Sequence, residues 1–258
     1  MKTCFGDSNL ATEFNSPSQR ARIVTEAWTA ANAYCVACDS NRLLATPANT
    51  KARDFECDHN GHAYELKGSA SIHGRKIIDG AFGSMIDRIK TGNAPNLLLM
   101  HYGPQWRINS LTVIHHLLLT ETVIQERKPL SVTARRAGWI GCNILLCDIP
   151  VEGKIEIISN GRFLPKADVR RRYALSERLN TISPVGRGWA ASVLTELRRL
   201  GQQRFTIQDA YSMEPQISAK YPANNNVRAK IRQQLQILRD LGLLRFESRG
   251  LYSFTIPD

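Results

Sequence analysis

A chain of 258 residues with 43% hydrophobic and 22% charged residues has the composition of a globular protein with a real core. That excludes a disordered tail, a collagen and a coiled coil, and no apolar run approaches the roughly 18 residues of a membrane span. Lys+Arg number 34 against 23 Asp+Glu, a net charge of +11. Both the last 75 residues and the rest are basic, which points to a polyanionic partner, nucleic acid first. The opening residues lack the apolar stretch of a signal peptide, so a cytoplasmic protein is expected. Its six cysteines then read as thiols or metal ligands before disulfides.

Ser18 to Tyr34 places Ile23, Val24, Ala27, Trp28, Ala31 and Tyr34 on one helical face. A loop carrying Cys35 and Cys38 follows, then a hairpin over Ala52 to Lys67 turning at Asn60-Gly61. A helix is predicted from Ile77 to Lys90, ended by Gly92 and Pro95. Asn96 to Tyr102, Arg107 to Ile114, Asn143 to Cys147 and Ile155 to Ser159 read as strands. The pattern is that of an α/β or α+β domain over residues 1–182. A linker is placed in Ser176 to Gly186, and residues 183–258 form a second domain. There, helices run over Trp189 to Leu200, from a Thr206 cap through Met213, and over Asn224 to Leu241. Strands Leu243 to Glu247 and Leu251 to Phe254 close the order of a winged helix, whose third helix enters the major groove.

The hairpin sorts two chemistries by face. With the turn at Asn60-Gly61, His59 opposes His62, Cys57 opposes Tyr64, Glu56 opposes Glu65 and Asp54 opposes Lys67. One face carries Asp54, Glu56, Glu65 and Lys67; the other carries Cys57, His59, His62 and Tyr64. Carboxylates gathered on one strand pair are hard oxygen ligands suited to Mg²⁺, with the Lys67 ammonium on the same side. On the other face, Cys35, Cys38 and Cys57 have zinc-ligand spacing, but Asn60 stands where a fourth cysteine is expected. A histidine is expected to complete a closed structural Zn²⁺ site, His62 first and His59 as the alternative.

Four blocks, SQRARIVTEAW, DFEC…YELK, RKPLSVTARRAGWIGCNI and KIRQQLQILRD, carry a resemblance over residues 18 to 240. The chain resembles the DpnI-like methyl-directed restriction endonucleases of the PD-(D/E)xK nuclease superfamily. The resemblance implies a Mg²⁺-dependent type II endonuclease that cuts double-stranded DNA at G-A-T-C when the adenine carries an N6-methyl group. It implies Asp54, Glu65 and Lys67 as the catalytic triad, with Mg²⁺ on Asp54 and Glu65, and three zinc positions at Cys35, Cys38 and Cys57. Asn60 departs from the family's fourth cysteine, and Arg53 precedes Asp54 where the superfamily name has Pro. Glu26 and Glu56 are further acidic candidates.

Two DNA readers are also implied, one in each domain. Trp139, following Arg135 and Arg136 and the permissive Gly138, offers an aromatic surface for a methyl that hydrogen bonds cannot hold. On the long C-terminal helix, Arg228, Lys230, Arg232, Gln233, Gln234 and Gln236 are read as its DNA-facing residues. A monomer without a membrane partner is expected. The alternative is a zinc-stabilised winged-helix reader of methylated DNA that does not cleave, for which Glu-x-Lys opposite an Asp has no use.

Overall fold

The structure is a computed structural model that describes Thr3, residues 16–47, Thr50 and residues 53–256. Ala52, the expected first residue of the hairpin, lies outside the described residues. The chain divides into two compact units that interleave in sequence. The first takes residues up to Gly74, Ala94–His116 and Lys154–Ala174; the second takes Arg75–Asn93, Leu117–Gly153 and Leu175 onward.

The first unit is built on a seven-stranded sheet. Its order is Leu44–Ala45, Phe55–Glu56, Ala63–Ser69, Asn96–Tyr102, Ile108–Ile114, Lys154–Ser159 and Arg162–Phe163. Asn96–Tyr102 begins with a nearly continuous buried apolar run, as a strand covered on both faces requires. It runs parallel to Ala63–Ser69 and antiparallel to Ile108–Ile114. The helix Pro17–Asn32 buries Val24, Thr25, Trp28 and Thr29. It lies close to Ala63–Ser69: a Cβ on Gly68 would come within 3.1 Å of Thr25 Cγ2, so glycine permits the approach. Trp28 stacks on Phe163 with ring centroids 6.3 Å apart.

The hairpin closes differently from the expected register. Phe55 pairs with Tyr64 and Glu56 with Ala63, and the Cys57 N–H donates to the His62 carbonyl at 3.0 Å. The pairing is displaced by two residues, and the loop is Asp58 to Gly61, closed by Gly61 N–H to the Cys57 carbonyl at 2.9 Å. Gly61 takes φ +69, the left-handed region glycine enters at no steric cost. A slip of two preserves the side-chain alternation, whereas a slip of one would exchange the faces. Phe55, Cys57 and Tyr64 accordingly point into the core, each no more than 1% exposed.

Two further segments depart from the predicted elements. Ile77–Ala81, expected as the start of a helix, is a strand paired with Gly141–Ile144, and the helix begins only at Phe82. Its alternating burial is that of a strand whose partner lies more than 60 residues away, which helical periodicity cannot register. The helix Lys166–Glu177 occupies a stretch to which no element was assigned and overlaps the expected linker. Only Val169, Tyr173 and Ser176 bury side chains there, spaced by four and three, a stripe too narrow for sequence patterning.

In the second unit, Ile77–Ala81, Gly141–Ile144 and Ile124–Glu126 form a small antiparallel sheet beside the helix Phe82–Lys90. Its C-terminal part is helical. Pro184–Arg199 starts five residues before the predicted start because Ser183 caps it, accepting from Gly186 N–H at 3.2 Å, and Pro184 fits the first turn. Thr206 caps Ile207–Ser212 in a reciprocal capping box with Asp209, and Glu214–Lys220 and Val227–Asp240 follow. Leu244–Ser248 and Leu251–Phe254 then pair in an antiparallel hairpin, with Arg204–Thr206 on its other edge. The helix Pro184–Arg199 is fixed to the 146–153 segment by the buried Arg198–Glu152 ion pair at 2.6 Å, and Thr195 Oγ1 donates to the Asp148 carbonyl. No described helix is long and apolar enough to cross a membrane.

Candidate active site and metal centre

The paired register ends at Phe55–Tyr64, and the Asp54 N–H donates to the Tyr64 carbonyl at 2.9 Å, so Asp54 stands at the end of the hairpin across from the Tyr64–Leu66 stretch. Asp54 is held in place because its Oδ2 accepts the Leu66 N–H at 2.8 Å. Lys67, two residues along the same face, donates Nζ–H to Glu65 Oε1 at 2.6 Å. Both side chains are largely shielded, at 24% exposure for Lys67 and 14% for Glu65, so their attraction is screened less than that of a surface pair. Glu56 lies farther out, with Arg53 Nη1 3.2 Å from its carboxylate. A cavity of about 550 Å³ is lined by Asp54, Glu26, Arg22 and Arg53 among others. Glu26 projects from the helix Pro17–Asn32 and accepts from Arg22 Nε at 2.6 Å. That bond, with the charges of Glu26 and Asp54, holds the Arg22 guanidinium above its ordinary pKa. Arg22 was not among the residues singled out in the sequence, since an arginine on an exposed helical face gives no signal of its own.

Asp54, which lines the cavity, and Glu65, bonded to the Lys67 ammonium on the facing strand, are hard oxygen donors of the kind a divalent ion takes.

The opposite face of the hairpin carries the sulfurs. Cys35, Cys38 and Cys57 bring their Sγ atoms within 4.8 Å of one another and can hold a metal ion. Cys38 and Cys57 are 3.5 Å apart, and the Tyr64 hydroxyl lies 3.3 Å from Cys35 Sγ. The hairpin loop wraps around Cys57, whose Sγ accepts the His59 N–H at 3.4 Å. Burial pushes the Cys57 thiol up, but the N–H groups of His59 and Asn60 and the neighbouring thiols outweigh it, so its pKa is lowered. Backbone donors aimed at a sulfur favour the thiolate a metal requires. Tyr64 and the loop amides were not assigned this part from the sequence, because only the register brings them to the sulfurs.

Neither histidine belongs to the three-sulfur group. His62, the first choice for the fourth ligand, has Nδ1 3.2 Å from the Tyr173 hydroxyl and packs edge-on against Tyr173 and His116. His59 is 56% exposed, with Nδ1 3.7 Å from Asp39. It gathers with Cys38 and Asp39 and is absent from the three-sulfur group. Asn60 instead lies against Cys35.

On the second unit, Arg135 and Arg136 are exposed and Trp139 is half-buried. The guanidinium of Arg136 is 4.8 Å from the centre of the Trp139 ring. The ring lies over Gly141, where a Cβ would come within 2.8 Å of it. On the helix Val227–Asp240, Arg228, Arg232, Gln233 and Gln236 are exposed and Lys230 is half-buried. Lys230 donates to Gln233 at 2.8 Å and sits over Trp189. Arg228 is paired with Glu214 at 2.6 Å. Gln234 is corrected: it is 1% exposed and belongs to the inner face with Val227, Ile231, Leu235 and Leu238. Its position, seven residues after Val227, puts it on the core side whatever its polarity. The hairpin after this helix adds exposed Arg245, Arg249 and Phe246, which the sequence did not single out because strand residues at a turn show no distinguishing pattern.

The second unit ends in helices closed by an antiparallel hairpin, an arrangement that DNA-binding domains use. Comparison with known families makes this specific: residues 1–182 match the DpnI, Dam-replacing family, and residues 186–253 match the Dam-replacing HTH domain. The chain belongs to the DpnI (Dam-replacing) family, whose type is the methyl-directed restriction endonuclease, a nuclease that hydrolyses DNA.

Proposed function

We propose that this protein is a type II restriction endonuclease that cleaves double-stranded DNA at G-A-T-C when the adenine is N6-methylated. Residues 1–182 form its catalytic domain, of PD-(D/E)xK type, and residues 183–258 a winged-helix DNA-binding domain. It acts as a monomer in the cytoplasm. The observation that supports the reading is Asp54 held by the Leu66 N–H against the strand that carries Glu65 and its partner Lys67, in a chain of this family.

Asp54 and Glu65 are the residues that would hold Mg²⁺, which supplies neutralisation of phosphate charge and a more acidic water. The rest falls to the chain itself. The Leu66 N–H keeps one oxygen of Asp54 in a fixed direction, so the carboxylate does not reorganise as substrate arrives. Lys67 places a positive charge beside the reacting phosphate, stabilising the negative charge that grows as the phosphodiester opens. Cys35, Cys38 and Cys57 fix the hairpin to the loop after the first helix through a structural Zn²⁺. Trp139, with Arg135 and Arg136, reads the methyl group, since an apolar ring surface rewards a methyl that hydrogen bonding cannot detect. Arg228, Lys230, Arg232, Gln233 and Gln236 engage DNA from the winged helix.

The test is cleavage of one plasmid with Mg²⁺, fully adenine-methylated at G-A-T-C or unmethylated. Fragments from the methylated form alone are expected. Asp54→Ala and Lys67→Ala should each lose about 10²-fold or more of the cleavage rate while binding methylated DNA as before. Cutting of both plasmids would remove the methyl requirement. Tight binding of the methylated form by the wild-type chain without cutting would instead make it a non-cleaving reader.

A further inference from the structure

Three sulfurs supply three corners of a tetrahedron, and the remaining corner is decided by what stands beside them. We propose that the fourth ligand is the side-chain oxygen of Asn60, so that three thiolates and one carboxamide hold the ion and neither histidine takes part. The proposal rests on the reading of Cys35, Cys38 and Cys57 as a structural zinc centre and specifies what this chain does where its family's cysteine is missing.

Distances support it first. Zn–S bonds of about 2.3 Å and Zn–O bonds of about 2.1 Å at tetrahedral angles separate two sulfurs by about 3.8 Å, and a sulfur from an oxygen by about 3.6 Å. Cys38 and Cys57 are 3.5 Å apart, and Cys35 Sγ is 3.8 Å from Asn60 Oδ1 and 3.7 Å from its Nδ2. The Asn60 carboxamide therefore lies against one of the three sulfurs at about the spacing of a shared ion.

Orientation supports it second. The His62 N–H donates to Asn60 Oδ1 at 3.1 Å. Only an oxygen can accept that bond, which fixes which end of the amide is which, and an amide oxygen keeps a second lone pair. The same loop aims the His59 N–H at Cys57, so one tight turn positions a sulfur and an oxygen together.

Neither histidine joins the three-sulfur group, and only His59 lies beside one of its members. His62 turns its ring toward Tyr173, bonding at 3.2 Å, and packs against His116. His59 reaches Cys38 and Asp39 on the exposed side of the loop, outside the three-sulfur group.

A neutral amide is a weaker donor than a thiolate. Three thiolates leave the Zn²⁺ centre with one net negative charge, where four would leave two. The affinity of this centre should therefore sit below that of a four-cysteine site, and restoring the sulfur should raise it.

The experiment uses the full chain, stripped of metal and reloaded with Zn²⁺ or Co²⁺. Zinc affinity is read by competition with a chromogenic chelator. Co²⁺ coordination is read from the sulfur-to-cobalt charge-transfer band, which grows with each thiolate, and from the visible ligand-field bands. Asn60→Cys should raise zinc affinity at least 100-fold and strengthen the charge-transfer band by about one third. Asn60→Ala should lower zinc affinity about 10-fold, in the range of a weakened ligand shell, and shift the ligand-field bands with the charge-transfer intensity unchanged. His59→Ala and His62→Ala should stay within twofold of the wild type. The assignment is overturned if Asn60→Ala matches the wild type in affinity and spectrum, or if either histidine variant loses tenfold or more. If Cys57→Ser binds zinc as tightly as the wild type, the zinc centre itself is refuted, a failure distinct from a misassigned fourth ligand.

Discussion

Trp139 is the ring proposed to read the methyl group. Its ring rests on Gly141 with the Arg136 guanidinium 4.8 Å from its centre, and these two contacts hold it in place. A methyl group placed on an apolar surface is worth about 1–3 kcal/mol, and this is the discrimination Trp139→Ala should lose. Measured as the ratio of binding constants for methylated and unmethylated duplexes, the loss should be about 10- to 100-fold, with cleavage chemistry intact on the DNA that is bound. A variant with an unchanged ratio would move methyl recognition away from this ring. Asp54 illustrates the complementary case, in which a residue's chemistry depends on one backbone N–H. The Leu66 amide fixes its carboxylate only because the hairpin pairs Phe55 with Tyr64.

At the scale of the element, the helix Val227–Asp240 separates contact from support within two adjacent residues. Gln233 is exposed and Gln234 is buried. Gln233→Ala should weaken binding to the cognate duplex by about 1–3 kcal/mol if the amide reads a base, measured by fluorescence anisotropy. Gln234→Met should leave that affinity unchanged and act only on the melting temperature. The helix Pro184–Arg199 depends on a different kind of contact. Arg198 and Glu152 are 8% and 1% exposed, and the guanidinium also stacks on Phe254 at 3.6 Å and donates to the Ile256 carbonyl. Removing one partner of such a pair leaves the other charge buried without its counter-charge. Glu152→Ala should therefore cost about 3–5 kcal/mol, read from urea unfolding, and should do so without touching any residue assigned to DNA or metal.

For the whole molecule the governing quantity is charge. A net +11 drawn from both parts of the chain attracts the phosphate backbone irrespective of sequence. If six to ten phosphates are neutralised, affinity should fall about 10³- to 10⁵-fold between 50 and 200 mM salt. The measurement is a plot of log affinity against log salt for methylated and unmethylated duplexes. Parallel lines are expected, because phosphate contacts set the slope and the methyl contact sets only the offset. A shallow slope would mean that the positive charge lies away from the bound DNA. The interleaving of the two compact units bears on stability in the same way, because segments distant in sequence must be present together before either core is complete.

What the sequence determined by itself is what local periodicity and residue chemistry carry. Asn96–Tyr102 was legible to the residue, as were the Thr206 cap, the long amphipathic helix and the following hairpin. The division of the Asp54–Lys67 hairpin into a carboxylate face and a sulfur face was legible as well, because strand alternation survives an even slip in register. Tertiary structure decided the rest. It made Ile77–Ala81 a strand through a partner far along the chain, and turned an arginine-rich segment into the helix Lys166–Glu177 by burying three side chains. It put Gln234 in a core that its polarity argued against, and turned His62 toward Tyr173 while Asn60 came to Cys35. Each of these depends on which residues meet across long stretches of chain. Hydrophobic pattern encodes the face a side chain takes, and only packing selects the neighbour it finds there.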